Sequence, residues 1–214
     1  MIISRVAGLL GLLSGAFAYK ALSDDGLRNM ADPGDDFDIK SGALLAPILQ
    51  PRVPGTPGST AVLNHFVDFF RKELPDWELT FQNSSATTPI SGNDETPFVN
   101  LIATRDPPWA GQGHVGRLAL VAHYDSKIDP PGFIGAIDSA APCAMLMYAA
   151  RSLDAALTRK WSAMEADGDS ELEEASGIQI ILLDGEEAFK VWTHDDSIYG
   201  ARYDQPPLIT HPRS

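Results

Sequence analysis

Two nearly continuous apolar runs organise the chain, LALVAH within Arg117 to His123 and IQIILL within Gly177 to Leu183. Unbroken runs of this length predict strands covered on both faces, as in a parallel sheet, whereas a half-exposed strand alternates. Between them Ser139 to Leu157 has helical spacing, with Ala140, Met145, Leu146, Ala149 and Leu153 among its core positions. An earlier helix carries Val62, Leu63, Phe66, Val67, Phe69 and Phe70 at three- and four-residue spacing. Ser59 or Thr60 is available to cap it and Pro75 ends it. Trp77 to Gln82 alternates as a strand, Asn83 to Thr96 is a polar connection, and Phe98 to Ala103 is a second strand. Strand, helix, strand, with both apolar strands ending in polar residues, predicts an α/β fold: a doubly wound, mostly parallel mixed sheet flanked by helices.

At 214 residues and 44% hydrophobic content the chain suits one medium globular domain plus an appendage. Its formal charge of -13 repels phosphate backbones, so no nucleic-acid partner is expected. The acidic patch from Glu165 to Glu174 reads as a solvated loop. Cys143 is the only cysteine, which rules out an intramolecular disulfide; beside Pro142 and Met145 it reads as a buried small hydrophobe without a catalytic role.

The N-terminus changes the expected compartment. Arg5 precedes the apolar stretch Val6 to Ala18, and Ala16-Phe17-Ala18 has the small residues of a cleavage site. Residues 1–18 are therefore expected to be a signal peptide or signal anchor, giving entry to the secretory pathway. Residues 19–45 are expected to form a flexible linker, rich in Asp, Gly and Asn between Leu22 and Lys40. Asn83-Ser84-Ser85 is a glycosylation sequon in what reads as a polar loop.

In open α/β sheets ligands bind beyond the carboxyl ends of the strands, which places His123, Asp125, Glu186 and Glu187 together, with Asp138 at the start of the next helix. Imidazole and carboxylates gathered in this way suit a zinc ion that keeps one position open. Adjacent glutamates point in different directions, so one can bind metal while the other moves a proton. Each residue also has a plain structural reading: Asp184-Gly185 as a turn, Asp138 as a helix cap, His123 as a satisfied core histidine.

HYDS, then GAIDSAAPCAMLM, then ILLDGEEAF followed by Trp192 and DSIYGAR resembles the zinc-dependent glutaminyl-peptide cyclotransferases, relatives of the M28 metallo-aminopeptidases. Upstream, RVPGTPGS from Arg52 to Ser59 fits the same pattern, so the resemblance runs from about Arg52 to Arg202 and a domain is expected over 46–203. The resemblance implies that Asp138 and Glu187 are zinc ligands, that Glu186 is the catalytic acid/base, and that Trp192 lines the pocket for the glutaminyl side chain. It implies peptides with an N-terminal Gln as substrates. The aminopeptidase alternative uses the same residues with His123 joining a second metal, and the sequence leaves the number of metals open.

The chain also departs from the pattern. The third zinc ligand implied by the resemblance is a downstream His, and His211 is not in a matching context. After Arg202 the tail, 204–214, does not match and carries the pair Pro206-Pro207 where a helix is expected. Ala122 stands where a Cys partner for Cys143 is implied. The expectation is a C-terminally truncated cyclotransferase with an apolar sheet edge exposed and weak or absent activity.

Overall fold

The computed structural model describes residues 23–29, 32–110, 115–168 and 176–202; the expected signal segment, most of the acidic patch and the non-matching tail lie outside them. The chain divides into a unit ending at Asp32 and a second from Pro33 onward. In the first, α1 (Asp24–Arg28) is capped by the Ser23 hydroxyl, which accepts the Gly26 N–H at 3.0 Å.

The second unit carries a four-stranded mixed sheet in the order β1-β2-β4-β3. β1 (Glu78–Thr87) and β2 (Glu95–Arg105) form an antiparallel hairpin, β2 pairs antiparallel with β4 (Ser176–Leu183), and β4 pairs in parallel with β3 (Gly116–His123). The expected parallel pair is present, and the α/β class holds. IQIILL sits between β2 and β3 and is buried from Ile178 to Leu182. LALVAH is different: among the described residues β3 is an edge strand, with Leu118 61% and Val121 53% exposed.

Helix α2 (Pro57–Glu73) begins at Thr56, one turn earlier than Ser59 or Thr60, because Pro57 presets the first helical φ and the Thr56 hydroxyl takes the Ser59 N–H. Its predicted apolar face is buried at Val62, Phe66, Val67, Phe69 and Phe70, and Pro75 follows its end. Helix α3 (Ala141–Ala166) is longer than predicted and starts later, since Asp138 and Ser139 have non-helical φ and ψ. Asp138 therefore caps nothing. The stripe facing the sheet is Cys143, Ala144, Met147 and Ala150, which turns Met145 outward to 59% exposure and leaves Leu153 at the border. Further along, Asp154 takes both the Trp77 Nε1–H at 3.0 Å and the Arg105 Nε–H at 3.1 Å.

α2 and α3 share one core with Leu101, Ala103, Ile178, Ile180 and Leu182. Leu44 and Leu45 belong to it too, and Arg151 pairs with Asp36, so Pro33 to Leu45 packs on the domain instead of forming a flexible linker. The polar composition of that stretch hides two leucines that complete the core. The sequon also differs from expectation: Asn83 lies within β1 opposite Val99, and the connection shortens to Thr88–Asp94 because polar residues on the exposed side of a hairpin still pair through their backbone.

Candidate active site

The parallel register sets His123 beside Leu183, so the chain leaves β3 and β4 side by side at their carboxyl ends. Tyr124 N–H continues the ladder to the Leu183 carbonyl at 2.8 Å. Ser139 Oγ and Cys143 Sγ both donate to the His123 carbonyl, at 2.7 and 3.1 Å, which ties the end of β3 to the start of α3. Cys143 is fully buried, and burial pushes its thiol up to about 12, which leaves it an inert packing residue as expected.

Beyond β4 the chain turns at Gly185, whose φ is +69°. A Cβ there would lie 2.4 Å from the Phe98 ring, so the turn needs glycine for its conformation and for its space. The next residues are held by a small aromatic core in which Phe98 stacks on Tyr199 at 5.0 Å and Phe189 meets both edge-on.

Asp125 organises the two glutamates. It is fully buried, and its Oδ1 and Oδ2 accept the main-chain N–H groups of Glu186 and Glu187, each at 3.0 Å. The His123 Nδ1 contacts the same Oδ1 at 3.2 Å, and its Nε2 faces Asp138 Oδ1 at 2.9 Å and Glu186 Oε2 at 3.9 Å. Burial alone would pull the His123 pKa down, but Asp125, Asp138 and Glu186 together push it up to about 9. Glu186 and Glu187 both lie above the ordinary glutamate value, chiefly because they are partly desolvated; His123 and Lys127 oppose the shift.

Glu187 is 5% exposed; Lys127 Nζ lies 3.6 Å from its Oε2, while its buried Oε1 has no hydrogen-bond partner among the described residues. A buried carboxylate oxygen left this way suits a cation. Asp138, by contrast, is 74% exposed at its side chain and turned onto His123. Among the described residues no three His, Cys, Asp or Glu side chains are arranged to enclose a metal ion. Glu187 thus has a carboxylate oxygen open to a cation, while Asp138 Oδ1 faces His123 Nε2 at 2.9 Å. Trp192 is 56% exposed and lines a cavity of about 260 Å³ with Lys127, Glu187, Phe189 and Lys190.

Residues 100–207 match the sequence profile of Peptidase family M28. The chain belongs to that family. This M28 chain is 37% identical over 166 residues to the glutaminyl-peptide cyclotransferase-like protein of Mus musculus, covering 76% of itself and 39% of the relative. It is 37% identical over 163 residues to the glutaminyl-peptide cyclotransferase of Bos taurus, covering 74% and 41%. The crystal structure of Macrostomum lignano glutaminyl cyclase aligns with a TM-score of 0.60 and 33% identity, over 81% of this chain and 44% of that one. The chain spans about two fifths of the length of these curated relatives.

Sequence reasoning placed Asp125 in the crevice without giving it a role, and it missed Asp196. The Asp196 carboxylate accepts the N–H groups of Phe189, Lys190 and Val191, each at 2.9 Å, and the Tyr199 hydroxyl at 2.8 Å. The signal was present in the DSIYG pattern, but nothing in spacing alone says that its Asp folds back on the preceding loop.

Proposed function

We propose that this M28 chain is a glutaminyl-peptide cyclotransferase, which closes the N-terminal glutamine of a peptide to pyroglutamate and releases ammonia. The observation that carries this reading is the 37% identity to cyclotransferases along three quarters of the chain, and the family match over residues 100–207 contains Asp138, Glu186, Glu187 and Trp192. Asp138 and Glu187 are assigned as donors to a zinc ion, which when bound supplies Lewis-acid polarisation of the γ-carboxamide carbonyl.

Glu186 moves the proton. The peptide's own α-amine attacks the carbonyl carbon (Cδ) of the γ-carboxamide, Glu186 takes a proton from that amine, and the same proton passes to the amide nitrogen as its bond to Cδ breaks and ammonia leaves. Its raised pKa suits a group that must both accept and return a proton. Trp192, on the wall of the cavity beside Glu187, is assigned to the glutaminyl side chain. Action on peptides within the secretory pathway follows from the N-terminal sequence and belongs to the same proposal.

A product assay separates this from the aminopeptidase chemistry of M28 relatives. With the full chain and zinc, H-Gln-Ala is expected to release ammonia and yield the pyroglutamyl peptide, and H-Leu-Ala is expected to yield no leucine. Free leucine without ammonia overturns the proposal.

A further inference from the structure

Arg52 opens the motif RVPGTPGS, lies outside the residues matched by the family profile, and has no part in the chemistry above. Its side chain is fully buried. A buried guanidinium normally faces a carboxylate. Here its hydrogen bonds go to main-chain carbonyls: Nε donates to Tyr124, Nη1 to Ile134, to Gln50 at 3.2 Å and to Ile48 at 3.3 Å, and Nη2 to Gly135 at 3.0 Å. Its own N–H donates to Ser126 Oγ at 3.0 Å.

Two of these contacts reach the segments that bear the candidate site. Tyr124 lies between His123 and Asp125 at the end of β3, and Gly135 stands three residues before Asp138. Gly135 has φ +46°, and a Cβ there would lie 2.4 Å from the Asp138 carbonyl and 3.3 Å from Arg52 Nη2, so guanidinium, glycine and the Asp138 backbone form one close-packed junction. A planar five-donor fork spans such carbonyls, and a lysine ammonium does not. Burial pulls the Arg52 pKa below the usual arginine range, and the charges of Asp125, Asp138 and Glu187 act against that fall, so its charge is felt by the site it does not touch.

We infer that Arg52 is a positioning residue that fixes the Asp138 loop against the end of β3, and so sets the separation of the two zinc donors. The inference rests on the reading of Asp138 and Glu187 as metal donors. The sequence distance is large, 83 residues to Gly135.

Zinc affinity of the full chain, measured by competition with a chelating dye well below the unfolding midpoint, tests it without substrate. Arg52→Lys keeps the charge and loses the fork, and Gly135→Ala strains the same junction from the loop side. Each is expected to weaken zinc binding at least tenfold and to change the visible spectrum of the cobalt form. Ser126→Ala, which loses only the main-chain contact, is expected to stay within twofold of wild type. A lowered unfolding midpoint in Arg52→Lys with unchanged zinc affinity overturns the inference, as does unchanged affinity in Gly135→Ala should Arg52→Lys fail to fold. Absence of zinc uptake by the wild-type chain is a different result and overturns the metal assignment itself.

Discussion

Asp125 Oδ2 accepts the main-chain N–H of Glu187 at 3.0 Å, across 62 residues of sequence. With Glu186 N–H on the other oxygen, one buried carboxylate fixes the turn that aims both glutamates. Every neighbour named for Asp125 points a hydrogen toward it or can do so. Asp125→Asn must set an amide N–H against one of them, and a loss of about 3 kcal/mol in urea unfolding is expected, as for one partner removed from a buried charged network. A change under about 0.5 kcal/mol, the range of ordinary surface substitutions, would show that the turn is held by other contacts.

Stability of the metal-free chain should fall as pH rises, in two stages. The folded-state pKa of Asp184 is raised to about 7 from 3.8, mainly by burial and then by the charge of Asp125, so its contribution is lost between about pH 4 and 7. His123, raised to about 9 from 6.5, contributes fully below about pH 6.5 and loses that contribution as pH approaches 9. The His123 stage is on the order of 3 kcal/mol. Unfolding midpoints recorded with chelator from pH 5 to 9.5 check this. His123→Gln should flatten the upper stage and Asp184→Asn the lower one.

The loop that carries Trp192 depends on Asp196. Asp196→Ala leaves three main-chain N–H groups and the Tyr199 hydroxyl without their acceptor. The expected cost is about 2 kcal/mol, and amide exchange at Phe189, Lys190 and Val191 should speed up by more than tenfold. Exchange that stays at the wild-type rate would mean that the aromatic cluster of Phe98, Phe189 and Tyr199 holds the loop alone.

The central parallel pair and the apolar face of α2 were legible in the sequence because burial writes a periodicity that survives any tertiary arrangement. So was the crevice, since the carboxyl ends of β3 and β4 follow from the strand assignments. Edges were not legible: LALVAH reads like IQIILL, yet Leu118 and Val121 are exposed, because pattern reports what a strand can bury and not what lies beside it. Met145 failed as a core position because the face of α3 that packs on the sheet is the one carrying Cys143, Ala144, Met147 and Ala150. Arg52, Asp125 and Asp196 escaped because each acts by hydrogen-bonding the backbone of a distant or preceding segment, and backbone carries no sequence signature.

Zinc and proton transfer are assigned to different neighbours, so they should separate by mutation. Glu187→Gln is expected to lower zinc affinity at least tenfold, because its buried, unpartnered Oε1 is a metal-facing donor on this account. Glu186→Gln should bind zinc within twofold of wild type. Equal zinc affinity in Glu187→Gln and wild type would remove Glu187 from the ligand set.

The most direct measurement is ammonia release from H-Gln-Ala by the full chain with zinc, wild type against Glu186→Gln at equal metal loading. The account predicts slow conversion by the wild type and at least a hundredfold less by Glu186→Gln, in line with removal of a general acid/base. Equal rates in the two proteins would contradict it.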